Sequence, residues 1–161
     1  MSEMIKVGMA DLKLCKSPNA ITTLGLGSCV GIALRDPTTK VGGLAHIMLP
    51  DSTKIANNQC IAKFADTGIK ELVRIMVEAG ASRNRIVAKI AGGAQMFALQ
   101  SKTETMAVGA RNVESVVKIL GEMKIPILAK DTGDSYGRTV EFFPETGDFV
   151  IKAVGKDIKK I

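Results

Sequence analysis

Ala20-Ile21-Thr22-Thr23-Leu24-Gly25-Leu26-Gly27-Ser28-Cys29-Val30-Gly31-Ile32-Ala33-Leu34 holds two strand signals around a glycine bend. Ala20 to Leu26 reads as one strand and Val30 to Leu34 as the next. Between them Gly25, Gly27 and Ser28 turn the chain, because glycine reaches backbone conformations that other residues avoid. Asp36-Pro37 then supplies turn chemistry. Val41 to Leu49 is a further strand, pairing back through a hairpin closed around Asp36 to Lys40. That hairpin brings His46 opposite the neighbourhood of Cys29.

Upstream, Ile5 to Leu14 alternates as a strand; downstream, Asp51 to Gln59 is polar and reads as a surface loop. The period then changes. Ile69, Leu72, Val73, Met76 and Val77 follow the i, i+3, i+4, i+7, i+8 stripe of an amphipathic helix ending near Gly80. A second stripe, Val113, Val116, Val117 and Leu120, predicts another helix closing at Gly121, with Arg111 and Glu114 among the polar residues around it. Between the helices, Arg85 to Ala91 is a β-branched run that breaks at Gly92-Gly93-Ala94-Gln95-Met96-Phe97, where two glycines let the backbone approach something closely. Strands follow at Ile125 to Ala129, Thr139 to Phe143 and Phe149 to Val154, with Glu145-Thr146-Gly147-Asp148 as a hairpin turn and a charged tail after Gly155. About eight strands and two helices, with hairpins at both ends, predict a layered α+β domain of mixed sheets rather than a regular βαβ repeat.

The 161 residues suit one domain, large enough to bury roughly 70% of its unfolded surface. Apolar residues at 46% and charged residues at 24% describe a soluble globular chain, and no apolar run approaches the roughly 18 residues of a membrane span. The start, Met1-Ser2-Glu3-Met4-Ile5-Lys6, lacks the regions of a signal peptide, so a cytoplasmic location is expected. The net charge of +6 is spread along the chain, and one Tyr with no Trp is poor material for base stacking. An acidic protein partner, drawn by that charge, is expected in place of a nucleic acid. Cys15, Cys29 and Cys60 fit neither a CxxC pair nor an even disulfide framework; with a single histidine, no metal site and no cofactor are expected.

The chemistry gathers at the bend. Cys29 follows Gly27-Ser28, where amide N–H groups can point at a developing oxyanion. A free thiol titrates near 8.5, so it needs a base, and His46 is the only imidazole in the chain. Thr23 or Thr22 can orient that imidazole by accepting a hydrogen bond from its second nitrogen. A phosphate cradle is disfavoured, because Gly25, Gly27 and Gly31 give G-x-G-x-x-x-G and run into a strand rather than a helix.

The runs TTLGLGSCVGIALRDP, GGLAHIMLP, KIAGGAQMF and GARN, together with a threonine six residues before the cysteine and a histidine seventeen after it, closely resemble the chemoreceptor glutamine deamidase family CheD of bacterial and archaeal chemotaxis. The resemblance implies a layered α/β sandwich akin to the deamidating bacterial cytotoxic factors. It implies Cys29 as nucleophile, His46 as base and Thr23, rather than Thr22, as the residue that orients His46. Substrate contact is expected at Gly27 and Ser28 and, from the glycines alone rather than from the resemblance, at Gly92, Gly93 and Ala94. The implied substrate is the glutamate- and glutamine-rich methylation helix of a chemoreceptor; the implied second role is binding and stimulating the phosphatase CheC. Cys15 and Cys60 have no part in the family pattern. One departure is Asp134, in Asp131-Thr132-Gly133-Asp134, where the family pattern has a second glycine ahead of Gly137-Arg138.

Overall fold

Ten strands and two α-helices occur among residues 2–95 and 108–161, the part of the chain that the computed structural model describes. The first sheet has the order β1 (Met4–Val7), β3 (Ala20–Leu26), β8 (Arg138–Phe143), β9 (Asp148–Lys152), β10 (Lys159–Lys160). The second has the order β2 (Asp11–Lys16), β5 (Val41–Ile47), β4 (Val30–Arg35), β6 (Val87–Gly92), β7 (Ile127–Thr132). Only β1 with β3 and β6 with β7 pair in parallel; the other neighbours are antiparallel. Two helices, α1 (Ala65–Glu78) and α2 (Val108–Glu122), cover the outer face of the second sheet.

Three layers result: sheet, sheet, helices. Val30, Ile32 and Leu34 of β4 pack with Ile69, Leu72 and Met76 of α1 and with Val116 and Leu120 of α2. The alternate residues turn the other way. Ala33 and Leu44 join Ile21, Val140, Phe142 and Phe149 in the space between the sheets. Burial on both faces explains why β4 and β5 read as nearly continuous apolar runs.

The layered α+β expectation is borne out, with differences of detail. The Ile5 to Leu14 stretch is two strands, not one. Ala10 takes φ +54, Gly8 N–H donates to Asp11 Oδ2 at 3.0 Å, and the chain passes there from the first sheet to the second. The charged tail adds β10, after which Ile161 exchanges two backbone hydrogen bonds with Phe149. In the helical stripes Val77 and Val117 are exposed, and Ile119 takes the buried place in α2. Asp134 adopts φ +59, the left-handed conformation that a glycine would take freely and aspartate tolerates, so the departure in the 131–138 loop leaves that turn possible. Met96 and Phe97 lie outside the described residues.

Candidate active site

The glycine bend is the crossover between the sheets. β3 belongs to the first and β4 to the second, so the chain must leave one layer and enter the other within Gly27–Cys29. A register break after Thr23 leaves Leu24 exposed, and Gly25 turns at φ +69. Three bonds from elsewhere hold the bend. Ala94 N–H donates to Gly27 O at 2.8 Å, Gly93 N–H to Cys29 O at 2.8 Å, and Asn112 Nδ2 to Ser28 O at 2.9 Å. All three carbonyls of Gly27-Ser28-Cys29 are thereby turned into the protein.

His46 reaches the same place from β5. In the β4–β5 ladder Gly31 faces His46 and Val30 faces Ile47, which makes Cys29 the diagonal neighbour of His46 on one face. Gly31, directly opposite, contributes no side chain to the space between them. Both residues are enclosed: His46 is 0% exposed and Cys29 is 7% exposed.

Thr23 comes from the first sheet and meets His46 across the interlayer space, with Oγ1 2.7 Å from Nδ1. Its hydroxyl also donates to Val7 O at 2.8 Å. A hydroxyl has one proton, and that proton is committed to Val7; Oγ1 must therefore accept from Nδ1–H. The neutral imidazole consequently carries its lone pair on Nε2, a buried atom with no hydrogen-bond partner among the described residues. Thr22 is engaged elsewhere, donating to Val140 O at 2.7 Å.

Burial sets the resting charge. It pushes the Cys29 thiol up, although its own backbone N–H opposes the shift. Burial also pulls His46 down, against the carboxylate of Asp11, its cross-strand neighbour on β2. Burial thus favours the neutral thiol and the neutral imidazole, two groups on one face of adjacent strands, with the Nε2 lone pair unpaired among the described residues.

The two glycines at the end of β6, Gly92 within it and Gly93 just past it, approach protein atoms. A Cβ on Gly92 would lie 2.3 Å from Cys29 O, and one on Gly93 would lie 2.2 Å from Val113 Cγ2. Ala94 is fully buried. Gly92, Gly93 and Ala94 thus form the backing of the Cys29 loop, and the tight approach expected there is to Cys29 and to α2. The 131–138 loop stands behind them, with Gly133 N–H donating to Gly92 O and Gln95 N–H to Asp134 O. Cys15 is buried between the sheets and Cys60 is exposed. Among the described residues no three His, Cys, Asp or Glu side chains converge as metal ligands, and no helix is long and apolar enough to cross a membrane.

Asn112 has no role that its sequence context assigns beyond membership of the GARN run. The signal was present: Asn112 occupies the buried stripe of α2 with Val116 and Leu120, where an unassisted polar residue is unfavourable.

Comparison with known proteins identifies the family of the chain. Residues 48–153 match the family model described as CheD chemotactic sensory transduction; the match begins just after His46. Full-length relatives cover the rest. The chain is 63% identical over 161 residues to the probable chemoreceptor glutamine deamidase CheD of Lachnoclostridium phytofermentans, spanning 100% of both proteins. It is 51% identical over 160 residues to the protein of the same name from Caldanaerobacter subterraneus subsp. tengcongensis, spanning 99% of each. It is 50% identical over 164 aligned residues to the chemoreceptor glutamine deamidase CheD of Halalkalibacterium halodurans, spanning 100% of both. On this similarity, the chain belongs to the CheD family.

Proposed function

We propose that this protein deamidates glutamine side chains of chemoreceptors, with Cys29 as nucleophile, His46 as general base and acid, and Thr23 as the residue that fixes the imidazole. The observation that carries this reading is the Thr23–His46 bond. With the threonine proton given to Val7 O, it leaves the Nε2 lone pair on the ring edge away from Thr23. The names of the full-length relatives support the substrate class.

In this reading His46 Nε2 takes the Cys29 proton while the sulfur adds to the carboxamide carbon. The oxyanion is met by the amide N–H groups of Ser28 and Cys29, whose carbonyls are already engaged behind the loop, each donor contributing about 10²–10³ in rate. His46 returns the proton to the nitrogen, ammonia leaves, and a thioester remains. Water, deprotonated by the same Nε2, cleaves it to glutamate and restores the thiol. Gly27 and Ser28 form the surface that the substrate side chain meets; Gly92, Gly93 and Ala94 act from behind, by fixing the loop.

The test is mass spectrometry of a receptor cytoplasmic fragment incubated with the protein and with Cys29→Ala. Gain of acid at specific glutamines with the wild type alone is the expected result. No conversion by either protein, with both folded, would overturn it. The CheC-binding role implied by the family resemblance is read with the same two preparations: stimulation of phosphatase turnover that survives Cys29→Ala separates binding from chemistry.

A further inference from the structure

We propose that Asn112 is a positioning residue for this reaction, bracing the nucleophile's loop against the end of the strand that carries the base. The inference rests on the assignment of Cys29 and His46 made above.

The β4–β5 ladder ends at Val30 opposite Ile47. Beyond it the strands stop pairing: Met48 and Leu49 send both amide N–H groups to Lys63 O, and Cys29 O accepts from Gly93. The residue before the nucleophile and the residue two past the base would have no direct tie. Asn112 supplies one. Its Nδ2 donates to Ser28 O and to Met48 O, each at 2.9 Å, so a single carboxamide spans the two chains at the open end of the hairpin.

The direction of the carboxamide is fixed by chemistry. Both neighbours are carbonyl oxygens, and exchanging Nδ2 with Oδ1 would set acceptor against acceptor. Asn112 is 0% exposed, and its Oδ1 has no hydrogen-bond partner among the described residues. A buried acceptor left unpaired calls for a reason; here the placement of the two donors dictates it.

The helix is seated tightly enough to act as a splint. A Cβ on Gly109, one turn earlier, would lie 2.4 Å from Ala94 O, so α2 rests directly on the Gly93-Ala94 backbone that supports Cys29. One turn later, Ser115 Oγ donates to Pro50 O at 2.8 Å, tying the helix to the same segment past His46 but not to the Cys29 loop. Of these two side chains Asn112 alone bonds to both sides, so its loss should alter the offset between thiol and imidazole, whereas loss of Ser115 should not.

The experiment uses p-nitrophenyl acetate, a small activated ester that needs no receptor. Attack by Cys29 sulfur on the carbonyl breaks the ester C–O bond, releases p-nitrophenolate and leaves acetyl on the thiol, whose proton passes to His46. Acetylation at Cys29 is followed by peptide mapping, with exposed Cys60 as the internal reference. For Asn112→Ala the Cys29 rate should fall at least about tenfold toward that of His46→Gln, and on a receptor fragment kcat should fall about 10²-fold with KM within about threefold, as expected for misplaced reacting groups. Ser115→Ala should stay within about twofold of the wild type, because the offset is untouched. If Asn112→Ala does not fold, Asn112→Asp, of equal shape but without the donors, takes its place. An unchanged or raised Cys29 rate in either variant, an equal loss in Ser115→Ala, or failure of both Asn112 variants to fold would overturn the proposal. Equal Cys29 rates in the wild type and His46→Gln would overturn instead the base assignment on which it depends.

Discussion

Thr23 and His46 belong to different sheets, and the 2.7 Å contact between Oγ1 and Nδ1 joins the layers at the point where the chain crosses between them. Replacing Thr23 by valine keeps the volume and removes the oxygen. The imidazole then loses the partner that fixes both its tautomer and its orientation. We expect kcat for receptor deamidation to fall about 10²-fold, and stability to fall by about 1–3 kcal/mol because Val7 O and Nδ1 are left unpaired. Thr23→Ser should restore most of both. Steady-state ammonia release and urea unfolding of the two variants provide the check; equal activity in valine and serine variants would sink the orienting role.

Acid should affect this site in a particular window. Burial lowers the His46 pKa below the ordinary imidazole value of about 6.5. The folded protein therefore resists a proton that the unfolded chain accepts. Stability from this group is present above pH of about 6.5 and falls as pH drops toward the folded value, at about 1.4 kcal/mol per unit. Activity follows the same sign, because the proposed reaction needs neutral Nε2: kcat/KM should hold through neutrality and fall on the acid side, below about 6.5. Thermal unfolding against pH for the wild type and His46→Gln measures the first effect; the variant should lack that component of the slope.

Two glycines of α2 should respond in opposite directions. A Cβ added at Gly121 would meet nothing within 4 Å, so Gly121→Ala should gain about 0.5–1 kcal/mol from helix propensity alone. Gly109→Ala gains the same propensity but drives its methyl into the Ala94 and Gly93 carbonyls, and should lose about 3 kcal/mol net. Denaturant midpoints decide it. A stabilised Gly109→Ala would mean that the helix is not seated on the Gly93-Ala94 backbone.

Asp36 and Arg85 set the far end of the hairpin. The Asp36 carboxylate is fully buried and accepts from Arg85 Nε at 3.0 Å and Nη2 at 2.9 Å, from Ser82 N–H at 2.8 Å and from Thr38 N–H at 2.9 Å. The Arg85 guanidinium holds that carboxyl well below the usual carboxylate range. Its stabilisation is full above the unfolded value of about 3.9 and is lost as pH falls further toward the folded value. Asp36→Asn should cost about 2–3 kcal/mol at neutral pH, less than a wholly enclosed pair because Arg85 is half exposed. It should also flatten the stability loss below pH of about 4. Urea titrations at neutral and acid pH test both statements.

Much of the site was legible because its parts lie close in sequence. The period of two places Cys29 and His46 on one face as soon as the Asp36–Lys40 hairpin is drawn, and the observed pairing of Gly31 with His46 agrees. Choosing Thr23 over Thr22 was beyond local pattern. Adjacent strand residues point to opposite sides, and which side faces the second sheet depends on partners far away, including Val140. The split of the first stretch was hidden for a similar reason: Gly8 to Ala10 form a turn only because Asp11 caps it, and their alternation continues across the break. Asn112 was visible as a polar residue on an apolar stripe, but its two acceptors come from segments 84 and 64 residues away.

The raised thiol pKa of Cys29 has a further consequence, outside catalysis. Peroxides oxidise thiolates far faster than thiols, and the sulfenic acid formed is the first step toward irreversible loss of the sulfur. If Cys29 is the nucleophile proposed above, a thiol kept protonated and nearly enclosed spends most of its lifetime in the less oxidisable form. Cys60, on the surface, meets an oxidant first. In the proposed reaction, the burial that makes Cys29 depend on a partner for activation thus also lets it persist between turnovers.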